Sequence, residues 1–203
     1  SGDQLIIPYK KTNRNKGNVQ IEGMVAIPGI YTIENGETKL SEVVQIAGGL
    51  ENNALASAAY LIRESANQRG VSSVTDINMT LLSKSYDQFL EGVDYLELEE
   101  ILSANRMAID LTNNQTLSEV TLQDGDRIYV PKDDRSIRIM GQVNNPGFYA
   151  YQAKQSVNED LQRANGMTIA ADRERIFVIK AGSRSWYEPQ ETSIESGDII
   201  FVD

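Results

Sequence analysis

Apolar and polar positions alternate through Val19, Ile21, Gly23 and Val25, and the alternation returns at Ile137, Ile139, Gly141 and Val143. A period of two predicts strands with one buried face. A Pro-Gly pair follows each, Pro28-Gly29 and Pro146-Gly147, and then Ile30-Tyr31 or Phe148-Tyr149. Proline presets φ at about −65° and glycine supplies the positive φ of a type II turn, so each pair predicts the turn of a hairpin. Farther on, Leu40, Val43 and Val44 stand at i, i+3 and i+4. That spacing predicts a short amphipathic helix, with Ser41 as its N-cap and Gly48-Gly49 as a left-handed stop. The second stretch repeats this over 157–167, with Asn158 at the cap and Asn165-Gly166 at the stop.

The recurrence is a true internal repeat. Residues 19–31 align with 137–149 at an offset of 118, and residues 40–50 with 157–167 at an offset of 117. In that frame Ala59-Tyr60-Leu61-Ile62-Arg63 matches Ile176-Phe177-Val178-Ile179-Lys180. Each unit closes on Gly-Asp and an apolar strand, at Gly125-Asp126 and at Gly197-Asp198, and Gly2-Asp3 opens the chain with the same phrase. Hairpin, helix, then further strands is the order of a β-grasp module.

The expected architecture is therefore α+β: two tandem β-grasp-like domains, the first with a helical insertion. Residues 1–8 read as the last strand of an upstream repeat and 9–18 as a linker. Residues 19–131 form the first domain, 132–136 a second linker, and 137–203 the second domain. The first unit is longer by an insertion at about 64–108, where Leu82, Tyr86, Phe89, Leu90 and Val93 keep helical spacing and residues 95–102 continue as a second helix. Ile109-Asp110-Leu111 reads as a strand that restores the shared pattern.

Composition narrows the chemistry. There is no His and no Cys among the 203 residues. No imidazole base, thiolate nucleophile, disulfide or N/S-ligated metal site can be built, which leaves carboxylate, Ser-Lys, Tyr and oxygen-only cation chemistry. The net charge of −10 opposes nucleic acid as a partner, since that affinity is built from Lys and Arg on phosphates. The charge is uneven: residues 19–131 carry a net −11, residues 137–203 a net −2, and the first 18 residues +3. Within the insertion, 8 acidic and 3 basic side chains make an acidic lobe, for which a solvated helix face is the plainer account than a partner surface.

The repeated Gly-x-Val-x-x-Pro-Gly-x-Tyr hairpin, the helix ending in Ala-Gly-Gly-Leu or its counterpart, and the closing Gly-Asp strand together resemble a known family. They are similar to tandem SLBB (soluble-ligand-binding β-grasp) domains of the polysaccharide export outer-membrane protein family. The residues that carry the likeness are Gly23, Pro28, Gly29, Gly48, Gly49, Gly125 and Asp126, with Gly141, Pro146, Gly147, Gly166, Gly197 and Asp198. The resemblance implies a wall segment of a capsular or exopolysaccharide channel, on the periplasmic side of the bacterial outer membrane. It implies no catalysis and no cofactor or metal. As partners it implies a homo-oligomeric ring in the full-length protein, the polysaccharide, and an inner-membrane polysaccharide co-polymerase. Membrane contact would come only through regions outside this stretch of chain. The alternative is a soluble glycan- or small-ligand-binding module. The insertion departs from the family pattern, as does Asn165 standing where the first copy has Gly48.

Sugars pack their C–H faces on flat rings, which makes Trp186, Tyr187 and Tyr151 the candidate glycan or subunit contacts. Tyr31 and Tyr149 occupy equivalent repeat positions and read instead as shared packing residues. Asp124-Gly125-Asp126 invites a calcium reading, but the other Gly-Asp copies lack the neighbouring carboxylates that six to eight oxygen ligands require. A turn into the last strand explains all three. Glu97, Glu99 and Glu100 fall in the stretch that reads as one helix, where they are expected to be solvated and not to flank a cleft as glycosidase carboxylates must. Gly48-Gly49 lacks the Gly-Lys-Ser/Thr of a phosphate loop.

Overall fold

The computed structural model describes residues 15–63 and 106–203. The upstream strand at 1–8, the linker as far as residue 14, and the insertion from 64 to 105 with Glu97, Glu99 and Glu100 lie outside the described residues.

Two five-stranded sheets share one topology. The first contains β1 (Lys16–Gly23), β2 (Gly29–Glu34), β3 (Tyr60–Ile62), β4 (Arg106–Ala108) and β5 (Arg127–Val130) in the order β2-β1-β5-β3-β4. The second contains β6 (Ser136–Gly141), β7 (Gly147–Ala150), β8 (Ile176–Ile179), β9 (Trp186–Tyr187) and β10 (Ile199–Val202) in the order β7-β6-β10-β8-β9. In each, the closing Gly-Asp strand enters the middle of the sheet, parallel to the first strand and antiparallel to the third. This is the tandem β-grasp arrangement that the repeat predicts.

Alternation places one face of each sheet inside. Val19, Ile21, Leu61, Ile128 and Val130 pack with Leu40, Val43 and Ala47 of the region around helix α1 (Leu40–Ile46). In the second module Ile137, Ile139, Val178, Ile200 and Val202 pack with Val157, Leu161 and Ala164 of the region around the next seven-residue helix (Val157–Arg163). A helix over Asn114–Glu119, α2, precedes β5, which makes Val157–Arg163 α3. Seven residues are too few for a helix to persist alone, so these two exist because the sheet covers their apolar side.

Local details depart from the pattern reading. Strand β1 begins at Lys16 and β6 at Ser136, so both linkers lose residues to the sheets. The fourth strand is Arg106–Ala108 rather than 109–111. Ile109 and Leu111 are buried as their alternation demands, but the Asp110 carboxylate accepts from the Thr112 amide and hydroxyl and turns the chain out of the sheet. The Pro-Gly pairs are not type II turns. Gly29 and Gly147 open β2 and β7 opposite Ile21 and Ile139, and positive φ falls on Gly23 (88°) and Gly141 (87°) instead. The connection between the two strands is consequently a wide loop docked on the helix end. Ala26 and Ile27 donate to the Gly49 and Ala47 carbonyls, and Asn144 and Asn145 donate to those of Gly166 and Ala164. Helix-terminal carbonyls need such outside donors.

The helix stops stand as read: Gly48 and Gly49 are left-handed, and Asn165 and Gly166 take the same conformation in the second copy. The caps do not. Lys39 rather than Ser41 is the N-cap of α1, and Ser156 rather than Asn158 that of α3. A glutamate three residues on decides both, because its carboxylate reaches back to the cap amide: Glu42 to Lys39 at 3.0 Å and Glu159 to Ser156 at 2.7 Å. Ser156 completes the box by accepting from the Glu159 amide. Ser156→Ala is expected to cost about 1 kcal/mol, measured by urea denaturation. The Ser156 amide and hydroxyl hold the Glu159 carboxyl below its usual range. The contribution of the box is therefore present above the unfolded value and lost as pH falls through the depressed one, and it is reduced in the variant, which keeps the amide bond at 156 and loses only the hydroxyl.

Candidate functional site

The Gly-Asp motif proves to be a buried ion pair at the entry to each closing strand. Asp126 and Asp198 are both 1% exposed. Arg63, the residue after β3, donates Nε and Nη2 to the two oxygens of Asp126 at 2.9 and 2.7 Å, and the Gln123 amide adds a third bond at 2.8 Å. At the matching position in the second module Lys180 donates to Asp198 at 2.6 Å, with the Ala181 and Glu195 amides at 2.9 and 2.8 Å. Burial pushes the Asp198 carboxyl up, against the pull of Lys180 and the two amides. Burial alone would lower the Lys180 ammonium, but its bonds to Asp198 and Glu195 hold it above its ordinary value. Asp124 is also committed to the fold, since its Oδ1 accepts from the Asn18 amide at 2.7 Å. The alignment of Arg63 with Lys180 was the sequence signal for these pairs. Their basic character, shared across otherwise different strands, identifies the partner of the aspartate.

Tyr31 and Tyr149 do one job twice. Each hydroxyl donates to the carbonyl four residues back, Ile27 and Asn145, at 2.6 Å, and pins the wide loop to β2 or β7. The three aromatic candidates separate. Trp186, on the edge strand β9, packs its ring between Phe177 and Phe201, with centroids 5.4 and 5.5 Å away. Together with Met140, Ile179 and Ile199 these rings make a second apolar layer on the far face of the second sheet. Tyr187 sits on the opposite face of β9 and is exposed. Tyr151 packs half-buried against the second core, in the repeat position that Ile33 holds in the first. The structure does not bring the three together.

It does join the two modules. The stretch 132–136 is tied on both sides: Lys132 bridges Ala54, the Asp133 amide donates to Asn53, Asp133 accepts from Ser196, and Gly197 donates to Ser136. The β8–β9 turn leans against the first module at a 3-10 turn over Ala56–Ala58, so closely that a Cβ on Gly182 would stand 2.1 Å from the Ser57 carbonyl. Beside this contact lies a cleft of about 230 Å³. Leu55, Ala58, Tyr60, Arg106, Ala108 and Pro131 of the first module line one wall, and Ala181, Gly182, Ser183, Arg184 and Gly197 of the second line the other. Among the described residues, its charged lining is Arg106 and Arg184.

The Arg106 guanidinium lies 3.5 Å over the Tyr60 ring, and Tyr60 in turn packs on Tyr129 at 5.2 Å. Burial raises the Tyr60 hydroxyl, with Arg106 opposing. Arg127 shares this sheet face, since it pairs across Ile62 from Arg106. Among the described side chains its Nε is a buried donor with no partner. Nothing in the linear pattern marked this cleft, whose walls come from segments up to 142 residues apart, Leu55 and Gly197.

The model of the SLBB domain matches residues 17–130, and a second SLBB domain model matches residues 136–188. Two curated relatives, both named polysialic acid transport protein KpsD, from Escherichia coli, are each 25% identical over 92 residues, 45% of this chain. The match spans 16% of the length of those relatives.

Proposed function

We propose, from the premise that this chain belongs to the SLBB domain family, that it is a non-catalytic wall module of a polysaccharide exporter. It works on the periplasmic side of the bacterial outer membrane, within a homo-oligomeric ring of the full-length protein through which a capsular or exopolysaccharide passes. An inner-membrane co-polymerase would deliver the polymer, and membrane contact would come from regions beyond this stretch. The likeness over 92 residues to proteins named for polysialic acid transport supports the cargo class.

The structural observation that carries the ring is an outward pair. Strands β2 and β7 are both sheet edges, and each exposes a large apolar side chain at the same repeat position, Ile30 at 71% and Phe148 at 75%. Edge strands with apolar faces invite pairing with another chain. Electron microscopy of the full-length protein in detergent is expected to show rings, and Ile30→Lys with Phe148→Lys is expected to dissociate them while each module stays folded. A monomer in detergent, with surface polysaccharide unchanged in a strain lacking the gene, would overturn the reading. The soluble-binding alternative draws on the cleft between the modules.

A further inference from the structure

We propose that the second module binds a sugar unit in a cleft that the first module keeps closed, between the start of α3 and the stretch 189–194. The proposal rests on the export reading for the word sugar. That the place is open and polar rests on comparing the two copies of the repeat.

The copies differ at one seam. In the first, the chain before α1 is zipped to the chain before Asp126. The Leu40 amide donates to the Val120 carbonyl at 2.9 Å, the Leu122 amide to the Thr38 carbonyl at 2.9 Å and the Gly36 amide to the Leu122 carbonyl at 2.8 Å, around a bridge between Lys39 and Thr121. The offset of 117, and that of 72 from Asp126 to Asp198, carry the seam to Gln155, Ser156 and Val157 facing Thr192, Ser193 and Ile194. The buried ion pairs bear out the second offset, since Arg63 donates to the Thr121 carbonyl and Lys180 to that of Ser193. Yet among the described residues no backbone bond and no bridge crosses the second seam. The Val157 and Ile194 amides and the Gln155 and Thr192 carbonyls, which would close it, have no backbone partner there. Val157 and Ile194 are nonetheless only 7% and 8% exposed. Backbone groups at buried positions require partners, from side chains, water or a ligand if not from the chain itself.

The open seam is a cleft of about 430 Å³, within the range of about 300–1,000 Å³ typical of small-molecule sites. Val157, Ile176, Pro189 and Ile194 give it an apolar floor. At its rim stand the Asn158 amide, the Ser193 hydroxyl and the Lys154 ammonium, each without a side-chain bond among the described residues. The loop ahead of α3 is one residue shorter than its counterpart, and Lys154 makes the left-handed turn, φ 67°, that Gly36 makes in the first copy at 76°. A lysine thus stands where the backbone favours glycine. The helix end itself is not the site. Its Ser156 and Glu159 amides are taken by the capping box, so the groups on offer are the seam and the rim.

A sugar ring fits this inventory. Each hydroxyl both donates and accepts, as water does, so one ring can serve the two amides and the two carbonyls together while its C–H face lies on the floor. An extended peptide would have to match register with both edges at once, which makes it the weaker candidate.

The test is a titration of the 203-residue chain with a tetramer of sialic acid and, separately, with maltotetraose, followed by amide NMR. Saturable shifts at Lys154, Asn158, Ser193 and Ile194 are expected, and the tighter of the two tetramers shows whether Lys154 meets an acidic sugar or a neutral one. Asn158→Ala is expected to weaken binding about threefold to tenfold, and Ser193→Phe to abolish it by filling the cleft. Both side chains are exposed, so the melting temperature is expected to stay nearly unchanged.

An absence of saturable shifts at these residues with both tetramers, or an unchanged affinity in Ser193→Phe, would overturn the site. A heptapeptide of alternating threonine and valine that produced the same shifts more tightly would overturn it in favour of strand addition, and inorganic phosphate that did so in favour of an anion contact at Lys154. The export reading fails separately: it is lost if the full-length protein forms no ring and its deletion leaves surface polysaccharide intact, whatever the cleft binds.

Discussion

Gly23→Ala is expected to unfold the first module or to leave it short by about 3 kcal/mol or more, as backbone strain and a core clash fall on the same atom. The backbone there has φ 88°, and a Cβ would stand 2.0 Å from the Val130 carbonyl oxygen. That oxygen cannot retreat, because it accepts from the Met24 amide at 2.9 Å and belongs to the strand in the middle of the sheet. Gly141→Ala repeats the experiment in the second module, with φ 87° and Val202 oxygen at 1.9 Å. The effects are expected to be local to the mutated module. Trp186 is the single tryptophan and packs in the second module, so its emission reports on Gly141→Ala and circular dichroism on both. By contrast, Gly29→Ala and Gly147→Ala are expected to change stability by less than about 1 kcal/mol, because neither has positive φ nor any atom within 4 Å of a Cβ. Equal losses at all four glycines would refute this account of the hairpin.

The second large effect is expected at the buried carboxylates. Asp126→Ala removes the charge partner of Arg63, which keeps its bond to the Thr121 carbonyl at 2.9 Å, and leaves the Gln123 amide without its acceptor; removal of one partner from a buried pair costs about 3–5 kcal/mol. Arg63 is about one-third exposed, at 35%. Solvent rescues part of its charge, so about 2–3 kcal/mol is the better expectation. Asp198→Ala has a different balance. Glu195 remains 2.9 Å from Lys180, so the ammonium is not orphaned, but the Ala181 and Glu195 amides both lose their acceptor. These amides are only partly buried, so water replaces some of what is lost and the change is expected to cost about 1–3 kcal/mol in all. Asn at either position is expected to be milder than Ala, since it retains one acceptor oxygen.

The alkaline limb gives the matching pH test. The Lys180 ammonium is held above its ordinary value in the folded state. Its contribution is fully present below the unfolded value, 10.5, and is lost as pH rises through the higher folded one. Asp198→Ala is expected to flatten that part of the stability profile, as followed by Trp186 emission.

The sequence alone determined the repeat, the order of elements within it and the α+β class. Those features live in short-range signals: alternation at Val19, Ile21 and Val25 and at their counterparts, helical spacing at Leu40, Val43 and Val44, and left-handed stops at Gly48 and Asn165. Doubling made them legible, because a pattern seen twice at an offset of 117 or 118 is not accidental. It also singled out Gly23, Gly141 and both Gly-Asp pairs as special, without saying why. The reasons lie in contacts between distant segments. Gly23 is glycine because the closing strand, more than a hundred residues later, brings the Val130 carbonyl against its Cα. Asp126 is aspartate because Arg63 arrives beside it from another strand. The same holds for Trp186, whose value as a sugar platform or as a packing residue depends on whether Phe177 and Phe201 flank it. It holds most of all for the cleft, whose walls come from different modules and face each other because Gly182 lets the second module close on Ser57. Periodicity reports which face of an element is buried; which atoms face each other across two elements depends on how the whole chain packs.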